Sequence, residues 1–450
     1  MPVKYTIKEG NESLTSHSGL ALIGALMDRT KLKERFDVVQ LLECAEPKIK
    51  HSDMLLSMTG LLCLGKPDYE AIEQFRNDPF FVQSLGLEVC PSAPSLRQRI
   101  DIVGKSVNDI VKEESASLIH RTAPQISPVE TSLGDYVPLD LDVSPFDNSK
   151  TNKEGVSRTY KGCDGFAPNF AYIGREGYLV NVELREGKQH CQQGTPEFLQ
   201  AAIRYAQNIT DKRLLVRLDS GNDSQDNIAV CRAANVDLII KRNLRQEDPE
   251  AWLELAKATG SKNEPRKGKV VWRGRAYYDF AGNELPVPIA FEVIERSIKK
   301  GQTLIFPEIE VNTYWTTLDL DANDTIFLYQ DHGTSEQFHS EIKTDMDLER
   351  LPSKFFESNA VILLLGMLAY NLLRLCGQES LREDNGNIEK IPGHRKKAHR
   401  RRIRTVILDL IYMAGKIIHT GRQWFISFGR INPWRSIWDS IYQRFVADTA

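Results

Sequence analysis

The sequence predicts an α/β protein in which helical regions flank a core of alternating strands and helices. Residues 18–36 carry apolar side chains at helical spacing, and this character continues to about residue 120. Residues 137–143 instead have a period of two, with apolar side chains on one face and Asp140 and Asp142 on the other. Between these two patterns lies a Pro-containing linker, residues 123–128. We therefore expect a helical N-terminal region, residues 1–125, followed by the start of a different domain.

Within the N-terminal region the helices are separated by turn residues. Gly65-Lys66-Pro67 ends one apolar helix, and Ser92-Ala93-Pro94-Ser95 precedes the next. Ser95 is the expected N-cap of that helix, since a serine hydroxyl can accept a hydrogen bond from a free amide of the first turn.

The core begins with the alternating strand at 137–143. Two further strands flank the turn Gly174-Arg175-Glu176-Gly177 as a hairpin. Thr195-Pro196-Glu197 is expected to open a helix as its N-cap, its first-position proline and an acid of the first turn. A strand at 214–219, a helix at 224–234 and a strand at 236–240 follow. This order indicates an α/β core of the RNase H type, residues 126–245, in which acids lie on neighbouring strand ends.

The rest of the chain does not continue this pattern at once. Residues 246–315 are predicted to be a β-rich insertion, because β-type segments alternate with Gly and Pro turns. Helical character returns near Gly333 and gives a second part of the core, residues 316–405. The apolar stretch 360–370 is too short to span a bilayer and is expected to be a buried helix. Residues 406–450 are predicted to be a helical tail in which Trp424, Trp434 and Trp438 anchor the packing.

Composition limits the class of protein. The 450 residues, 41% hydrophobic, are enough for two or three cored units. Seven cysteines without a CxxC pair predict neither a zinc module nor a disulfide framework, and the polar N-terminus lacks the apolar core of a signal peptide, so we expect a cytoplasmic protein without a membrane span.

Charge is unevenly distributed. The net charge of −3 does not by itself suggest a nucleic-acid binder, but residues 394–404 hold seven Lys/Arg and no acid. This run predicts a phosphate-binding surface, with a solvated helix end as the alternative. Its candidate contacts are Arg395, Lys396, Lys397, Arg400, Arg401 and Arg402.

Two aspartates are the first candidates for chemistry. Asp142 and Asp219 lie on strands that otherwise look buried, where an unpaired carboxylate is costly. A single aspartate at a strand end is more often a turn or cap residue. Asp140 shares a face with Asp142, so either could be a metal ligand; the Asp-x-Ser pattern favours Asp142, with Asp140 as a supporting acid.

The third candidate acid lies in the pattern Tyr329-x2-His332-x3-Glu336-x6-Lys343. If a helix starts at Gly333, Glu336 and Lys343 share a face two turns apart, about 10.5 Å, and His339 lies on that face too. Glu341 competes with Glu336 by position on the helix alone. The spacing to the flanking tyrosine and lysine decides for Glu336.

These motifs resemble those of the DDE transposases of bacterial insertion sequences, in the cut-and-paste branch with a Tyr-x2-Arg-x3-Glu-x6-Lys signature. His332 stands where that family has arginine, which alters one phosphate contact because histidine cannot form a guanidinium fork. The Asp142-Val143-Ser144 and RLDSGN (217–222) segments are also similar to the family. So are the apolar helix after the glutamate and the early GKPDYEAIEQFRNDPF and SLRQR segments, so the resemblance covers most of the chain.

The resemblance implies that Asp142, Asp219 and Glu336 bind two Mg²⁺ ions, with Mn²⁺ as a substitute, and catalyse phosphoryl transfer on DNA. Tyr329, His332 and Lys343 would hold DNA phosphates. The expected partners are the double-stranded terminal inverted repeats of a transposon and a target DNA, bound by a homodimer. The N-terminal region would recognise DNA ends or dimerise. The alternatives are an RNase H-like metal nuclease without strand transfer and a non-catalytic DNA-binding protein derived from a transposase.

Overall fold

A computed structural model describes residues 2–41, 47–278, 286–299, 302–382 and 400–447, without the side chains of Lys299, His332 and Thr334. The chain divides into two compact units. Unit 1 combines Met1–Glu114 with Glu341–Ala450, and unit 2 is Ser115–Ser340.

The N-terminal segment is mainly helical, as predicted. Its elements among the described residues are β1 (Ser13–Thr15), α1 (Leu20–Asp28), α2 (Leu32–Asp37), α3 (His51–Cys63), α4 (Pro79–Ser84), α5 (Ala93–Val103) and α6 (Asn108–Thr122). The expected N-cap of α5 was wrong. Ser92, not Ser95, caps the helix by accepting a hydrogen bond from the Ser95 amide. The helix starts earlier because Pro94 fits its first turn, where the missing N–H costs nothing.

Unit 2 holds the sheet and the α/β core. Its elements in the described residues are β2 (Val129–Thr131), β3 (Gly134–Val143), β4 (Phe146–Asp147), β5 (Ser157–Arg158), β6 (Asp164–Phe166), β7 (Asn169–Ile173), β8 (Tyr178–Glu183), α7 (Thr195–Ile209), β9 (Leu214–Leu218), α8 (Gln225–Ala233), β10 (Asp237–Lys241), α9 (Pro249–Thr259), β11 (Ser261–Arg266), β12 (Lys269–Tyr278), β13 (Val287–Lys299), β14 (Gln302–Thr316), α10 (Ala322–Gln330) and α11 (Ser335–Ser340).

The core sheet has the order β8-β7-β3-β9-β10. β7 is antiparallel to both β3 and β8, whereas β9 is parallel to β3 and β10 is parallel to β9. An antiparallel meander followed by two parallel strands with intervening helices is the RNase H-type arrangement, and it confirms the predicted α/β fold class. β3 is the central strand, buried along most of its length.

The predicted insertion is β-rich but does not form a separate sheet. β14 pairs antiparallel with β10, and the same sheet continues through β13 and β12 to β11. The segment also contains a helix, α9, that the sequence interpretation missed. α9 packs Leu253 and Ala256 against Trp272, Phe291 and Val293 of the strands. The cap residue Asp248 and Pro249 at its first position were the available signals.

The second segment of unit 1 contains a long helix and a hairpin. Its described elements are α12 (Phe356–Glu379), α13 (Ile403–Val406), β15 (Gly415–Thr420), β16 (Gln423–Phe428) and α14 (Arg435–Ala447). By length and composition α12 could cross a bilayer, but 94% of its most apolar window is buried in the protein. It packs on α3, α5 and α13, so α12 is a core helix.

The tail differs from the predicted all-helical form. β15 and β16 form a hairpin that pairs with β1, and α14 follows. Trp424 lies on β16 with 54% of its surface exposed and is not a packing anchor. Trp438 is buried on α14, and the ring of Trp434 lies under the guanidinium of Arg401.

Candidate active site

Two candidate acids lie next to each other at one end of the neighbouring parallel strands β3 and β9. Leu141 of β3 pairs with Leu218 of β9. The residue after Leu141 is Asp142, still on β3, and the residue after Leu218 is Asp219, which immediately follows β9 with an extended backbone. Since residues in register on adjacent strands point to the same face of a sheet, the register directs both carboxylates to one side at the same edge. The sequence predicted this arrangement for RNase H-type strand ends.

Asp142 is held by a histidine from α11. His339 Nε2 lies 3.1 Å from Asp142 Oδ2, and His339 Nδ1 lies 3.0 Å from the hydroxyl of Tyr172. The ring of His339 is buried and packs near Phe170 and Tyr172. A tyrosine hydroxyl that donates to Nδ1 leaves the proton on Nε2, which then donates to the carboxylate. The contact fixes α11 to β3 beside Asp142.

Asp219 is oriented by its own turn. It precedes the short helical turn Ser220–Asn222, and Asn222 Nδ2 donates to Asp219 Oδ1 at 2.7 Å. Cys191 lies beside this turn and donates to the carbonyl of Gly221. Burial and the negative charge of Asp219 raise the pKa of the Cys191 thiol, so the thiol stays protonated.

Asp140 has a different environment from Asp142. It is 2% exposed and accepts two hydrogen bonds from Arg217, at 2.6 Å from Nε and 2.7 Å from Nη2. The same guanidinium donates through Nη1 to the carbonyl of Leu328, next to Tyr329. Asp140 therefore forms a buried ion pair with Arg217. Asp142, 21% exposed at its side chain, is the more accessible of the two.

Two tyrosine hydroxyls lie in the field of the acids. The pKa of Tyr329 is raised by burial and by the charges of Asp219 and Asp142, while its ring packs on Tyr314 with centroids 4.9 Å apart. Burial of the hydroxyl and the same two acids also raise the pKa of Tyr160. Sequence reasoning found Tyr329 by its spacing. It missed Tyr160 and Tyr172, because no motif marks them and only the fold brings them to the acids. Arg217 belongs to the RLDSGN segment, but its ion pair with Asp140 was not predicted.

Glu336 lies on α11 and is exposed, one turn before His339. Within the described ranges, no three His, Cys, Asp or Glu side chains are grouped closely enough to hold a metal ion. The structure thus aligns Asp142 and Asp219 and does not join Glu336 to them.

Lys343 and His332 are two further signature residues, and Lys343 does not lie on the predicted single α-helix. Lys343 lies in a π-helical turn, Glu341–Asp345. This wider turn follows α11, so the simple α-helical phase predicted between Glu336 and Lys343 does not hold. Only the main chain of His332 is described, and its side chain lies outside the described part of the molecule.

Glu341, the competitor of Glu336, is a structural acid. It is 2% exposed, pairs with Arg374 and lies 3.3 Å from the hydroxyl of Tyr370. A carboxylate enclosed in this way has no accessible edge for substrate, so burial separates the two glutamates as the spacing did.

Arginines of the basic run, residues 394–404, form ion pairs within the protein. Arg395, Lys396 and Lys397 lie outside the described residues. Arg400 lies 3.6 Å from Glu341, and Arg401 is buried against Asp409 and Trp434. Burial lowers the pKa of both guanidinium groups. Arg400 and Arg401 thus pair with acids of the protein, and their contact with DNA phosphates stays a prediction.

Arg402 differs from Arg400 and Arg401. Its side chain is about half exposed, and its guanidinium makes two hydrogen bonds to Asp345 at 2.8 and 2.9 Å. The bond to this carboxylate raises the pKa of Arg402. One edge of the guanidinium group is therefore already hydrogen-bonded to Asp345.

The family model described as "Transposase DDE domain group 1" matches residues 4–448. The chain belongs to the DDE transposase family. A comparison with curated proteins gives no match. Among solved structures, the chain is similar to the piggyBac transposase in a synaptic complex with hairpin DNA, solved by cryo-electron microscopy. The identity is 10%, the match covers 90% of this chain and 82% of that one, and the TM-score is 0.42. A likeness at this level supports no inference about the activity of this transposase.

DDE transposases use divalent metal ions, and the donors at the strand ends fit such an ion. Carboxylate oxygens are the ligands that Mg²⁺ prefers. His339 contacts one oxygen of Asp142 and Asn222 contacts one oxygen of Asp219. Hydrogen bonds of this kind orient metal-binding carboxylates in other proteins.

Proposed function

We propose that this transposase cleaves DNA at transposon ends and joins the freed 3′-OH to target DNA, using two Mg²⁺ ions bound by Asp142, Asp219 and Glu336. The supporting observation is the register of β3 and β9, which aligns Asp142 and Asp219 at adjacent strand ends. The family match over nearly the whole chain supports a transposase reaction.

The bound ions would activate the nucleophile and stabilise the leaving oxygen. The residues of the chain prepare the site for this chemistry. His339 holds Asp142 in one orientation, and Asn222 does the same for Asp219. The raised pKa of Tyr329 keeps its hydroxyl protonated, so the hydroxyl can donate to a phosphate oxygen. Lys343 supplies a positive charge for a DNA phosphate.

Glu336 would complete the ligand set from α11. The helix is fixed by His339 on Asp142 and by Phe338, whose ring lies 4.9 Å from that of Tyr172. Glu336 is one turn away from this anchor and exposed, so its side chain is available to a bound ion without unfolding of the helix. Two DNA ends must be paired for transposition, and we propose a homodimer on DNA.

The test uses the DNA that flanks the chain's own coding sequence. Purified protein with Mg²⁺ is expected to cut this DNA at defined positions, and a precut end is expected to be joined to a plasmid target. Asp219→Asn should abolish both reactions, whereas Asp226→Asn, an exposed aspartate on α8, should leave both unchanged. Cleavage by Asp219→Asn at the wild-type rate would refute the assignment.

The two alternatives give different results in the same assay. A metal nuclease cuts the flanking DNA but does not join a precut end. A non-catalytic DNA-binding protein shifts the DNA in a gel and cuts nothing under any divalent ion.

A further inference from the structure

One aromatic side chain beside the acids is exposed and yet fixed in place. Tyr160 exposes 68% of its surface, and its hydroxyl donates a hydrogen bond to the main-chain carbonyl of Val143 at 3.0 Å. Val143 immediately follows Asp142 on β3. The hydrogen bond therefore holds the ring next to one candidate acid while much of the ring remains open to solvent.

The turn that carries Tyr160 is ordered by its own hydrogen bonds. Thr159 is buried, its amide and hydroxyl each donate to the carbonyl of Cys163 at 2.9 Å, and the amide of Gly162 donates to the carbonyl of Thr159. This turn connects β5 to β6 in the small sheet β4-β6-β5, which begins three residues after Val143. The exposure of Tyr160 thus belongs to a built turn.

Other aromatic rings close to this part of the core are buried. Phe146, Phe166, Phe170 and Tyr172 are each at most 1% exposed. An aromatic side chain left in water forgoes the stabilisation that burial gives. Its position beside a catalytic acid then points to a partner that arrives with the substrate.

The charges around the ring suit a nucleic acid. The ammonium group of Lys161 lies 5.9 Å from the centre of the Tyr160 ring. Burial of the hydroxyl and the charges of Asp142 and Asp219 keep Tyr160 protonated by raising its pKa, so the ring adds no negative charge. Arg158, the last residue of β5 before this turn, pairs with Asp164 at 3.4 Å and is already partly neutralised.

We propose that Tyr160 is a stacking platform for an unpaired nucleobase next to the phosphate that reacts at Asp142 and Asp219, and that Lys161 contacts the neighbouring phosphate. Aromatic side chains bind single-stranded bases in this way regardless of base identity. The inference rests on the proposed function, because it places the reacting phosphate at the two aspartates.

The experiment measures binding without divalent metal, so it does not depend on cleavage. The probe is a short duplex with a single-stranded overhang that carries 2-aminopurine at its first unpaired position; a blunt duplex is the comparison. Wild-type protein is expected to quench the fluorescence and to bind the overhang more tightly than the blunt duplex. Tyr160→Ala should lose the quenching and weaken overhang binding on the order of 10-fold.

Three further variants separate the ring from its surroundings. Tyr160→Trp should retain the quenching, and Tyr160→Phe should retain part of it, since the ring remains and the hydrogen bond to Val143 is lost. Tyr277→Ala is the matched control, because Tyr277 on β12 is also 68% exposed, and it should behave like the wild type. Lys161→Gln should weaken binding of both the overhang duplex and the blunt duplex.

Several outcomes would overturn the inference: no quenching by the wild type, unchanged quenching by Tyr160→Ala, or equal losses in Tyr160→Ala and Tyr277→Ala. Quenching that depends on Tyr160 in a protein that cuts no DNA would refute the proposed function alone. Cleavage without such quenching would refute the stacking role alone.

Discussion

Asp140 and Asp142 are two residues apart on one face of β3, and their partners differ. Asp140 is enclosed with Arg217, whereas Asp142 lies against the ring of His339 and keeps part of its surface in water. An acid paired with a buried guanidinium contributes to folding, because either charge alone in the interior is costly. Neutralising Asp142 should therefore affect mainly the cleavage activity, whereas neutralising Asp140 should affect mainly the stability of the protein.

Asp142→Asn should lower the cleavage rate more than about 100-fold, beyond the usual effect of changing a residue that only supports a metal ligand, with little change in stability. Asp140→Asn should lower the free energy of unfolding by about 3 kcal/mol, since Arg217 keeps its charge without a full partner. Cleavage rates and chemical unfolding curves of the two variants check this. A stable but inactive Asp140→Asn protein would reverse the assignment.

His339 is a positioning residue whose hydrogen bonds can be imitated. Glutamine at this position can donate to Asp142 through its amide NH₂ and accept from Tyr172 through its carbonyl. We expect His339→Gln to keep most of the cleavage activity, and His339→Phe to lose about 10–100-fold in activity or in apparent Mg²⁺ affinity. Mg²⁺ titrations of the cleavage rate measure the effect. The exposed His190→Gln is the control, and equal losses in Gln and Phe variants would contradict the role.

At the scale of elements, α11 docks on the β7–β8 turn. Gly177 in this turn has φ +72°, and a Cβ atom there would lie 2.3 Å from the ring of Phe338 on α11. Glycine is needed both for the left-handed backbone and for the close approach. The turn and the helix therefore set the position of His339 and Glu336 together.

Gly177→Ala should reduce both stability and cleavage, because the backbone strain of about 1–2 kcal/mol adds to displacement of α11. Gly86→Ala is the control: its φ is +64°, but no atom of the described residues beyond its chain neighbours lies within 4 Å of the added Cβ. Adding Phe338→Ala should recover part of the loss in Gly177→Ala if the clash is the cause. Thermal unfolding and cleavage rates are the measurements, and no recovery would leave only backbone strain.

α12 carries a buried charge in an otherwise apolar helix. Arg374 is fully buried and donates to Glu341, to the hydroxyl of Tyr370 and to the carbonyl of Arg401. This network joins α12 to the turn that contains Lys343. Because its ions are enclosed, loss of one partner is worse than loss of both.

Arg374→Met should lower the free energy of unfolding by about 3–5 kcal/mol, because Glu341 would remain buried without its main partner. The double variant Arg374→Met/Glu341→Gln should be more stable than Arg374→Met alone. A double-mutant cycle by chemical denaturation gives the coupling between the two residues. Additive effects would show that the pair does not act as a unit.

For the molecule as a whole, DNA affinity has to come from local charge, since the net charge is −3. Arg400 and Arg401 form ion pairs inside the fold, so Arg395, Lys396, Lys397 and the half-exposed Arg402 are the main candidates of the basic run for phosphate contact. Each phosphate contact changes the dependence of log K on log salt by roughly 0.9. The basic run should therefore divide into residues that bind DNA and residues that stabilise the fold.

Neutralising Arg395, Lys396 and Lys397 together with glutamine should reduce the salt slope of DNA binding by roughly 2–3 and leave the melting temperature unchanged. Arg401→Met should instead lower the melting temperature, because Asp409 loses its partner. Fluorescence anisotropy at several salt concentrations, with thermal unfolding of each protein, separates the two effects. An unchanged salt slope in the triple variant would exclude these residues as DNA contacts.

Local patterns were sufficient for much of the fold. The period-two strand at 137–143, the Gly174–Gly177 turn and the Thr195-Pro196-Glu197 signal of α7 predicted elements that the structure contains, because these signals depend only on neighbouring residues. The predicted cap of α7 was wrong: Gly194 is the N-cap, and Thr195 is the first residue of the helix. The hairpin β15–β16 and helix α9 were missed. Their short segments have ambiguous periodicity, and they form through pairing with β1 and packing on distant strands.

The candidate site divides in the same way. The amino-acid sequence alone determined the α/β class and the spacing of Tyr329, Glu336 and Lys343, since these features depend on the order of residues along the chain. Only the tertiary structure decided that Asp140 forms an ion pair with Arg217 and that Asp142 forms a hydrogen bond with His339. It also decided that Glu341 and Arg401 are interior residues. Burial and pairing of charges depend on residues far apart in the chain, and no local pattern encodes them.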